Sequence, residues 1–234
     1  MINLSIIFPV HNEEENLGNL LKNWEQGLKK KKINHEFIIV EDGSTDNTKN
    51  IISFLEKKYS IVNLSQKKKR GYTQAVLDGI NAANKEYILC TDSDNQIKVN
   101  SFIKILHKLP RENEFLFGYR NPRKDSFDRI IYSKLFKILH NILFNSKLKD
   151  PSCPFVFGKK KTFQKLPQEQ LKKMKEGFWW GFVAVGIINK IKFYEAPIKH
   201  FRRTKGESLY KISKLAGIIL RNTIGLIKIK FNFE

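Results

Sequence analysis

The sequence contains few cysteines and no long hydrophobic run, and both absences limit the possible classes of protein. Only Cys90 and Cys153 occur in the 234 residues, too few for the disulfide framework of a small secreted domain, and neither has metal-type neighbours. No stretch of about 18 apolar residues is present, so we expect no transmembrane helix. The first ten residues lack the basic region of a secretory signal. These features predict a protein of the reducing cytoplasm.

Negative charge is also scarce. Asp and Glu number 23 against 43 Lys and Arg, which gives a formal net charge of +20. A field of this sign attracts polyanions, which include nucleic acid, an anionic membrane surface and phosphate-bearing substrates. The alternative is that the charge serves solubility alone. With 41% hydrophobic residues, the chain has enough apolar side chains to fill the core of one large domain.

Strand and helix signals alternate through the first hundred residues. Four short apolar runs are predicted as strands: 4–10, 36–40, 60–64 and 86–90. The segments between them carry apolar residues at helical spacing. This alternation predicts βαβ units and an α/β, Rossmann-like fold with a mostly parallel central sheet flanked by helices.

Polar clusters directly follow three of these predicted strands. They occupy residues 11–13, 41–46 and 92–96. Because the carboxyl ends of parallel strands meet at one edge of a sheet, we expect the clusters to face one crevice. Asp92, Asp94 and Gln96 alternate along an extended segment, so their oxygens lie on one side and suit Mg²⁺ or Mn²⁺. The spacing alone is equally compatible with a polar turn.

The alternation weakens beyond about residue 110. Further strand candidates are 114–120, 154–158 and 192–198. Two basic amphipathic segments, 128–148 and 212–231, are predicted as helices. In the first, five apolar residues share a face: Ile131, Leu135, Ile138, Leu139 and Ile142. Such helices either cover the sheet with their apolar faces or lie in the headgroup region of an anionic membrane. For 212–231, which is apolar around much of its circumference, the membrane or an oligomer partner is favoured.

Four motifs carry a resemblance to a known family. They are FPVHNEEENL, IIVEDGSTDNT, RGYTQAVLDGINAA and YILCTDSDNQ. In this order and spacing they resemble the nucleotide-binding half of family 2 glycosyltransferases with the A-type fold, and more narrowly the dolichol-phosphate mannose synthase group of polyprenyl-phosphate sugar transferases. The resemblance implies a catalytic domain at 1–210, with a nucleotide-binding half at 1–100 and an acceptor half at 101–210. An amphipathic C-terminal helical segment follows at 211–234.

The resemblance implies roles for residues on the donor side. The metal ligands would be Asp92, Asp94 and Gln96, holding Mg²⁺ or Mn²⁺. The nucleotide would be bound by Pro9, His11, Glu13, Asp42, Gly71 and Asp92. Glu13 has an alternative explanation, because an acidic residue at the start of a helix also complements the helix dipole. The residues expected to act in catalysis are Asp94, Arg120 and Arg203, the last of which would neutralise the departing diphosphate.

On the acceptor side, the resemblance implies a pocket for a phosphate monoester. Its residues would be Arg120, Arg129, Ser133, Arg203 and Ser208, the last two from the stretch HFRRTKGESLYK. Fork-shaped guanidiniums and hydroxyls suit phosphate oxygens. Without the resemblance, Arg129 and Ser133 would be interpreted as part of a solvated basic helix face.

The sequence departs from the family pattern at two places. Relatives that use hydroxyl acceptors often carry an acidic base near 176–186, where this chain has Glu176 followed by Trp179 and Trp180. A hydroxyl must lose a proton to attack, whereas a phosphate monoester is already ionised near neutral pH. The missing acid therefore favours a phosphate acceptor. The second departure is Pro154, where relatives usually have glycine, and it leaves the acceptor's identity open.

The leading hypothesis is an inverting glycosyltransferase that moves a hexose from a UDP- or GDP-sugar to polyprenyl phosphate, bound peripherally at the cytoplasmic membrane face. The alternatives are transfer to a saccharide hydroxyl with Glu176 as base, or a nucleotide-binding pseudo-enzyme. A basic nucleic-acid-binding protein is disfavoured, because the predicted crevice carboxylates repel phosphates unless a metal intervenes. The sequence does not distinguish uracil from guanine, nor does it define the sugar or the oligomeric state.

Overall fold

Seven strands form the central sheet of the computed structural model, which describes residues 2–203 and 215–231. The strands are β1 Asn3–Val10, β2 Asn34–Glu41, β3 Ile61–Ser65, β4 Tyr87–Thr91, β5 Glu114–Arg120, β6 Phe155–Lys159 and β7 Lys192–Ile198. Their order across the sheet is β3-β2-β1-β4-β6-β5-β7. All neighbours pair in parallel except β6, which runs antiparallel to both β4 and β5. The predicted mostly parallel α/β sheet is therefore confirmed.

Helices cover the sheet and connect its strands. They are α1 Leu17–Lys30, α2 Thr48–Glu56, α3 Tyr72–Ala82, α4 Val99–Ile105, α5 Phe127–Phe144, α6 Lys160–Gln164, α7 Gln168–Lys172, α8 Phe178–Ile188 and α9 Leu215–Phe231. On α1, the residues at helical spacing are all buried: Leu17, Leu20, Leu21, Trp24 and Leu28. An apolar stripe of this kind holds a helix on the core through burial more than through helix propensity.

The antiparallel strand β6 explains why the alternation of the sequence weakens after residue 110. The chain leaves β5, forms α5 and returns through β6 in the opposite direction. It then enters α8, which is apolar around its whole circumference and buried along almost its full length. A helix of this composition belongs in a core rather than on a surface. Trp179 and Trp180 lie within it.

The apolar face predicted on α5 points away from the protein. Ile131, Leu135, Ile138 and Ile142 are between 41% and 77% exposed, and only Leu139 of the five packs against the core. The helix is instead anchored by a different face, which includes Phe136, His140 and Phe144. Of the two alternatives for this segment, the structure excludes the one in which the predicted face covers the sheet.

Helix α9 lies beside α5 and also exposes apolar side chains. The amide of Asn222 donates to the Tyr132 hydroxyl at 3.2 Å, and the Lys230 ammonium lies 5.7 Å from the Phe144 ring centroid. The two contacts follow the same order along both helices, so the helices run parallel. The exposed apolar residues of α9 are Ile219, Leu220, Ile224, Ile227 and Phe231. No helix within residues 2–203 and 215–231 is long and apolar enough to cross a bilayer.

Candidate active site

The three predicted polar clusters meet at one edge of the sheet, in what we call the donor crevice. Strands β1, β2 and β4 are parallel neighbours that end at Val10, Glu41 and Thr91. The loops that follow are tied together by side chains. Ser93 donates to the Pro9 carbonyl at 2.7 Å, and the Asn12 backbone N–H donates to the Ser44 hydroxyl at 3.0 Å.

Asp42 orders the loop that carries Gly71. Its carboxylate accepts the backbone N–H groups of Arg70 at 2.5 Å and of Gly71 at 2.9 Å. His11 donates from Nδ1 to the Asp42 carbonyl at 2.9 Å. Gly71 has a φ of +99°, and Gly43 has a φ of +67° with the Lys69 nitrogen only 2.5 Å from where a Cβ would stand. Both positions therefore require glycine.

Asp92 is held by a chain of two hydrogen bonds that begins on α8. The indole N–H of Trp179 donates to the Tyr72 hydroxyl at 2.9 Å, and that hydroxyl donates to Asp92 Oδ1 at 2.6 Å. Burial and the charge of Asp94 raise the pKa of Asp92, against the hydrogen bond from Tyr72, which lowers it. Trp179 lies in the segment where hydroxyl-accepting relatives often carry an acidic base. In this protein it is linked through Tyr72 to Asp92, a predicted metal ligand.

Asp94 faces the other charged residues of the donor crevice. Burial raises the pKa of its carboxyl group, while the Gln96 backbone N–H at 3.0 Å and the charge of Arg203 lower it. The Arg203 guanidinium lies 3.8 Å from Asp94 and donates to buried Glu13 at 2.8 Å. Burial likewise raises the pKa of Glu13. The Gln96 amide donates to the Phe201 carbonyl at 2.9 Å.

The oxygen atoms that the crevice offers as ligands suit a hard cation that binds together with a phosphate group. No group of three or more His, Cys, Asp and Glu side chains is arranged as a metal site in the part of the chain that the structure describes. Mg²⁺, however, is usually held by one or two carboxylates together with substrate phosphates and water. Asp92 and Asp94 are two adjacent carboxylates whose raised pKa values reflect burial without enough compensating positive charge.

A second cluster of charges follows β5, and we call it the arginine cluster: Arg120, Arg123 and Arg129 with Asp125 and Asp150. Arg120 is 6% exposed and binds Asp150 through two nitrogens, at 2.7 and 2.9 Å. It also donates to Asp125 at 3.1 Å and to the Ser152 hydroxyl at 2.7 Å. Burial alone would raise the pKa of Asp150, but the hydrogen bond and charge of Arg120 hold it well below its ordinary range.

The other two arginines of the cluster also contact Asp125. Arg123 donates to its carboxylate at 2.6 Å, and Arg129 lies 3.3 Å from it. Arg123 donates in addition to the hydroxyl of buried Ser133 at 2.8 Å. Arg120, Arg129 and Ser133, which the sequence predicts as acceptor-phosphate residues, are therefore brought together. Arg203 lies instead on the donor crevice.

The donor crevice and the arginine cluster are neighbours. Burial raises the pKa of Asp92 and of Asp94, and the charge of Arg120 opposes that rise at Asp92, as the charge of Arg129 does at Asp94. The predicted residue Ser208 lies outside the described residues. Glu176, the alternative base, accepts from Arg221 at 3.1 and 3.2 Å.

Several residues of the site carry no signal that sequence reasoning used. They are Tyr72, Trp179, Arg123, Asp125 and Asp150. Tyr72 follows a motif glycine, and Asp150 precedes the PSCPFVFG segment, so proximity to recognised motifs is the signal that could have found these two. Trp179 appeared only as a departure from the family pattern. Arg123 and Asp125 lie in the loop 121–126, which has no motif of its own.

Comparison with known proteins gives the same fold and defines the family. The Glycosyl transferase family 2 domain matches residues 5–167, more than half of the chain. The chain therefore belongs to glycosyl transferase family 2. Within the solved structures it is similar to glucosyl-3-phosphoglycerate synthase from Mycobacterium tuberculosis, crystallised with Mn²⁺, UDP-glucose and glycerol 3-phosphate. That match has a TM-score of 0.65 at 15% identity and covers 100% of this chain and 81% of the other.

Two curated relatives have names that describe lipid-phosphate substrates. The dodecaprenyl-phosphate galacturonate synthase of Rhizobium johnstonii is 29% identical over 225 residues, which are 94% of this chain and 65% of the relative. The dolichyl-phosphate beta-glucosyltransferase of Dictyostelium discoideum is 30% identical over 184 residues, which are 70% of this chain and 56% of the relative. The chain spans less than two thirds of the length of either protein.

Proposed function

We propose that the chain transfers a hexose from a nucleotide diphosphate sugar to a polyprenyl phosphate, with inversion at the anomeric carbon. Family membership and the names of the two curated relatives support this reaction. The phosphate oxygen of the acceptor attacks the anomeric carbon in line with the departing diphosphate. One C–O bond forms as the bond to the leaving oxygen breaks, and no proton has to be removed from the acceptor.

On the donor side, Asp92 and Asp94 would hold a divalent cation on the diphosphate. Bound Mg²⁺ or Mn²⁺ stabilises the negative charge that develops on a departing diphosphate. Tyr72 orients Asp92 by its hydrogen bond of 2.6 Å. Arg203, now on Glu13 at 2.8 Å, would turn towards the leaving group and add a second positive charge.

Nucleotide binding would use the loops around Asp42 and His11. Both Asp42 carboxylate oxygens already accept backbone N–H groups, and each oxygen has a second lone pair available for a base N–H. Pro9, Glu13 and Gly71 line the same end of the sheet. A base and ribose in this position would place the diphosphate over Asp92 and Asp94.

The observation that carries the proposal is that two sites of opposite charge are neighbours, since the donor crevice follows β4 and the arginine cluster follows β5, and both strands pair with β6. The half-buried carboxylates of the crevice suit a cation and its diphosphate, and the charges of Arg120 and Arg129, which suit a phosphate monoester, act on Asp92 and Asp94. A hydroxyl acceptor is less well supported, because the base candidate Glu176 is paired with Arg221. A transfer reaction needs donor and acceptor side by side, and this arrangement supports the proposal that both bind here.

We further propose that the exposed faces of α5 and α9 rest on an anionic membrane at its cytoplasmic face. The apolar residues Ile131, Leu135 and Leu220 on these parallel helices are exposed. The net charge of +20 complements anionic headgroups, which attract basic residues by about 1 kcal/mol each. Helix α5 begins beside the arginine cluster, so an acceptor phosphate at the membrane surface would reach it. Cys90 and Cys153 are buried and unpaired, as expected in a reducing compartment.

The test is transfer by purified protein with Mn²⁺ and a panel of UDP- and GDP-sugars, with and without a polyprenyl phosphate in detergent. We expect release of nucleoside diphosphate to require the lipid, and the lipid to gain the mass of one hexose or uronic acid. Donor hydrolysis that ignores the lipid, or a product on a free saccharide, would contradict the proposed acceptor.

The matched variant for this test is Asp94→Asn. It removes one half-buried carboxylate from the pair that would hold the cation, so we expect transfer to fall by about 1,000-fold while the protein stays folded. Glu56→Gln on α2, an exposed position, removes the same charge away from the crevice and should leave the rate unchanged. Full activity of Asp94→Asn would exclude the metal assignment.

A further inference from the structure

Asp125 occupies the centre of the arginine cluster. Its carboxylate is 2% exposed and is met by Arg123 at 2.6 Å, by Arg120 at 3.1 Å and by Arg129 at 3.3 Å. Three guanidiniums around one small anion form the arrangement that binds a phosphate group, because each fork presents parallel N–H donors to its oxygens. A carboxylate of the protein itself now fills this arrangement.

Two hydroxyl groups contact the same arginines that hold the carboxylate. Ser133 accepts from Arg123 at 2.8 Å, and its hydroxyl lies 3.3 Å from that of Ser152. Ser152 is in turn within hydrogen-bond distance of Arg120 and Asp150. A phosphate has more oxygens than a carboxylate, so it can use donors of the pocket that Asp125 leaves to other partners.

A dianion attracts three guanidiniums more strongly than the single charge of Asp125 does. Arg120, Arg123 and Arg129 all contact the Asp125 carboxylate. Burial and the charge of Arg120 lower the pKa of Arg123. Buried His200 beside the cluster adds no charge near neutral pH, since burial lowers its pKa to about 4. A phosphate monoester carries nearly two negative charges at neutral pH, so it would interact with the three guanidiniums more strongly than Asp125 does.

The loop that carries Asp125 lies at the surface of the protein. Residues 121–126 connect β5 to α5, and both Lys124 and Ser126, on either side of Asp125, are exposed. The loop backbone is held by Asn121, which donates to the Ile198 carbonyl at 2.9 Å, and by Lys124, which donates to His200 at 3.2 Å. At an exposed segment, water can replace the second bond when Asp125 withdraws.

We infer that Asp125 is an internal competitor for the acceptor-phosphate pocket, and that a phosphate monoester binds by taking its place on Arg120, Arg123 and Arg129. The inference rests on the proposed function and adds Arg123 to the acceptor residues. It also explains selectivity. A hydroxyl, a neutral group or a singly charged carboxylate gains too little from the three arginines to displace a carboxylate that is already attached to the chain.

The first test measures binding of geranyl monophosphate by calorimetry to the wild-type protein and to Asp125→Asn. Loss of the internal competitor should tighten binding at least about 10-fold, equivalent to about 1.4 kcal/mol. Asp150→Asn is the matched control, because it changes the net charge of the same cluster equally but leaves Asp125 in place. A gain in Asp150→Asn as large as in Asp125→Asn would show a general charge effect and overturn the inference.

Two other probes identify the ligand class. Geraniol, which lacks the phosphate, should show at least about 100-fold weaker binding to the wild-type protein. Inorganic phosphate should bind more weakly than geranyl monophosphate, because it lacks the apolar tail. Equal affinity for inorganic phosphate and the monoester would identify a free-phosphate site and contradict an acceptor pocket.

The second test uses the wild-type protein and does not depend on a variant that folds. Hydrogen exchange is followed by mass spectrometry across 121–126 as geranyl monophosphate is added. We expect exchange at the Lys124 amide to increase, because its bond to His200 is lost as Asp125 leaves. Binding with unchanged or slower exchange in this loop would show that Asp125 stays, which overturns displacement but leaves the proposed acceptor intact. No binding by any of the three proteins would overturn both.

Discussion

In the donor crevice, burial raises the pKa values of Glu13, Asp92 and Asp94, whereas in the adjacent arginine cluster the guanidiniums lower those of Asp125 and Asp150 against the effect of burial. Both groups of carboxylates are removed from water, so the difference lies in their cationic partners. The crevice carries negative charge that its own side chains do not balance. In the cluster, each of the two carboxylates is held by at least two guanidiniums.

This difference teaches what each site needs in order to work. A pair of carboxylates with too little positive charge around it is stabilised when a cation binds, so the proposed donor site would bind a metal and its diphosphate without displacing a group of the protein. In the arginine cluster, an incoming anion binds only if it interacts with the guanidiniums more strongly than Asp125 does. The proposed acceptor site would therefore select ligands by their negative charge, whereas the proposed donor site would bind any cation that compensates its carboxylates.

The largest expected effect concerns the free energy of unfolding, which one substitution should lower in the arginine cluster and another should raise in the donor crevice. Asp150→Asn leaves buried Arg120 without its two-nitrogen partner, and we expect it to lower the free energy of unfolding by about 3 kcal/mol. Asp92→Asn removes like-charge repulsion yet keeps an oxygen for Tyr72, and should raise the free energy of unfolding by about 1 kcal/mol. Urea denaturation at pH 7.5 in EDTA measures both.

Two outcomes would contradict the comparison between the two sites. Loss of stability in Asp92→Asn would mean that its carboxylate is already compensated by the protein. A neutral Asp150→Asn would mean that Arg120 is held by Asp125 and Ser152 alone. Glu56→Gln, exposed on α2, is the control for removing one negative charge.

A second prediction concerns a buried basic side chain with no carboxylate partner among the described residues. His140 donates to the Trp180 carbonyl at 3.0 Å, and its Nδ1 has no partner within the described residues. Burial lowers its pKa to about 4, despite that bond. Between the unfolded value of about 6.5 and about 4, the unfolded state binds more protons, so stability rises with pH in this window and is lost as pH falls.

From this shift we expect His140 to account for about 2 kcal/mol of the stability lost between pH 7 and pH 5. His140→Gln, which retains a donor for the Trp180 carbonyl, should flatten the urea-denaturation profile over that range. His200 has a similarly lowered pKa and would sustain the remaining slope. An unchanged slope in His140→Gln would show that the protein around His140 holds a buried charge without a carboxylate partner, contrary to the comparison.

The sequence predicts the donor side of the molecule far better than the acceptor side, for physical reasons. In the first hundred residues each strand is followed at once by its polar cluster, and parallel pairing brings the clusters to one edge. Local spacing therefore carries three-dimensional information. Strand positions, the crevice and the side on which Asp92 and Asp94 lie all follow from it.

The acceptor side depends on contacts between distant segments that spacing does not encode. Arg120 meets Asp150 across 30 positions and Trp179 meets Tyr72 across 107. The face of α5 that packs could not be inferred either, because the more regular apolar stripe proved to be the exposed one. An apolar face indicates that something covers it, but the pattern does not say whether that is protein or lipid.

The smallest expected effect sharpens the comparison at the point where the two halves touch. Tyr72→Phe removes the hydroxyl that donates to Asp92 and accepts from Trp179, while the ring contacts with Phe178 and Trp179 are kept. Loss of a partner that orients a metal ligand weakens metal binding by about 10-fold or more. We therefore expect the affinity for Mn²⁺, titrated by electron paramagnetic resonance in the presence of UDP or GDP, to fall about 10-fold.

Trp179→Phe leaves the Tyr72 bond to Asp92 intact and should lower the affinity for Mn²⁺ about 3-fold. The double variant should lose no more affinity than Tyr72→Phe, because Trp179 acts only through Tyr72. Equal, additive losses of affinity would instead mean that Trp179 supports the site through packing. Unchanged Mn²⁺ affinity in Tyr72→Phe would mean that other residues of the crevice orient Asp92.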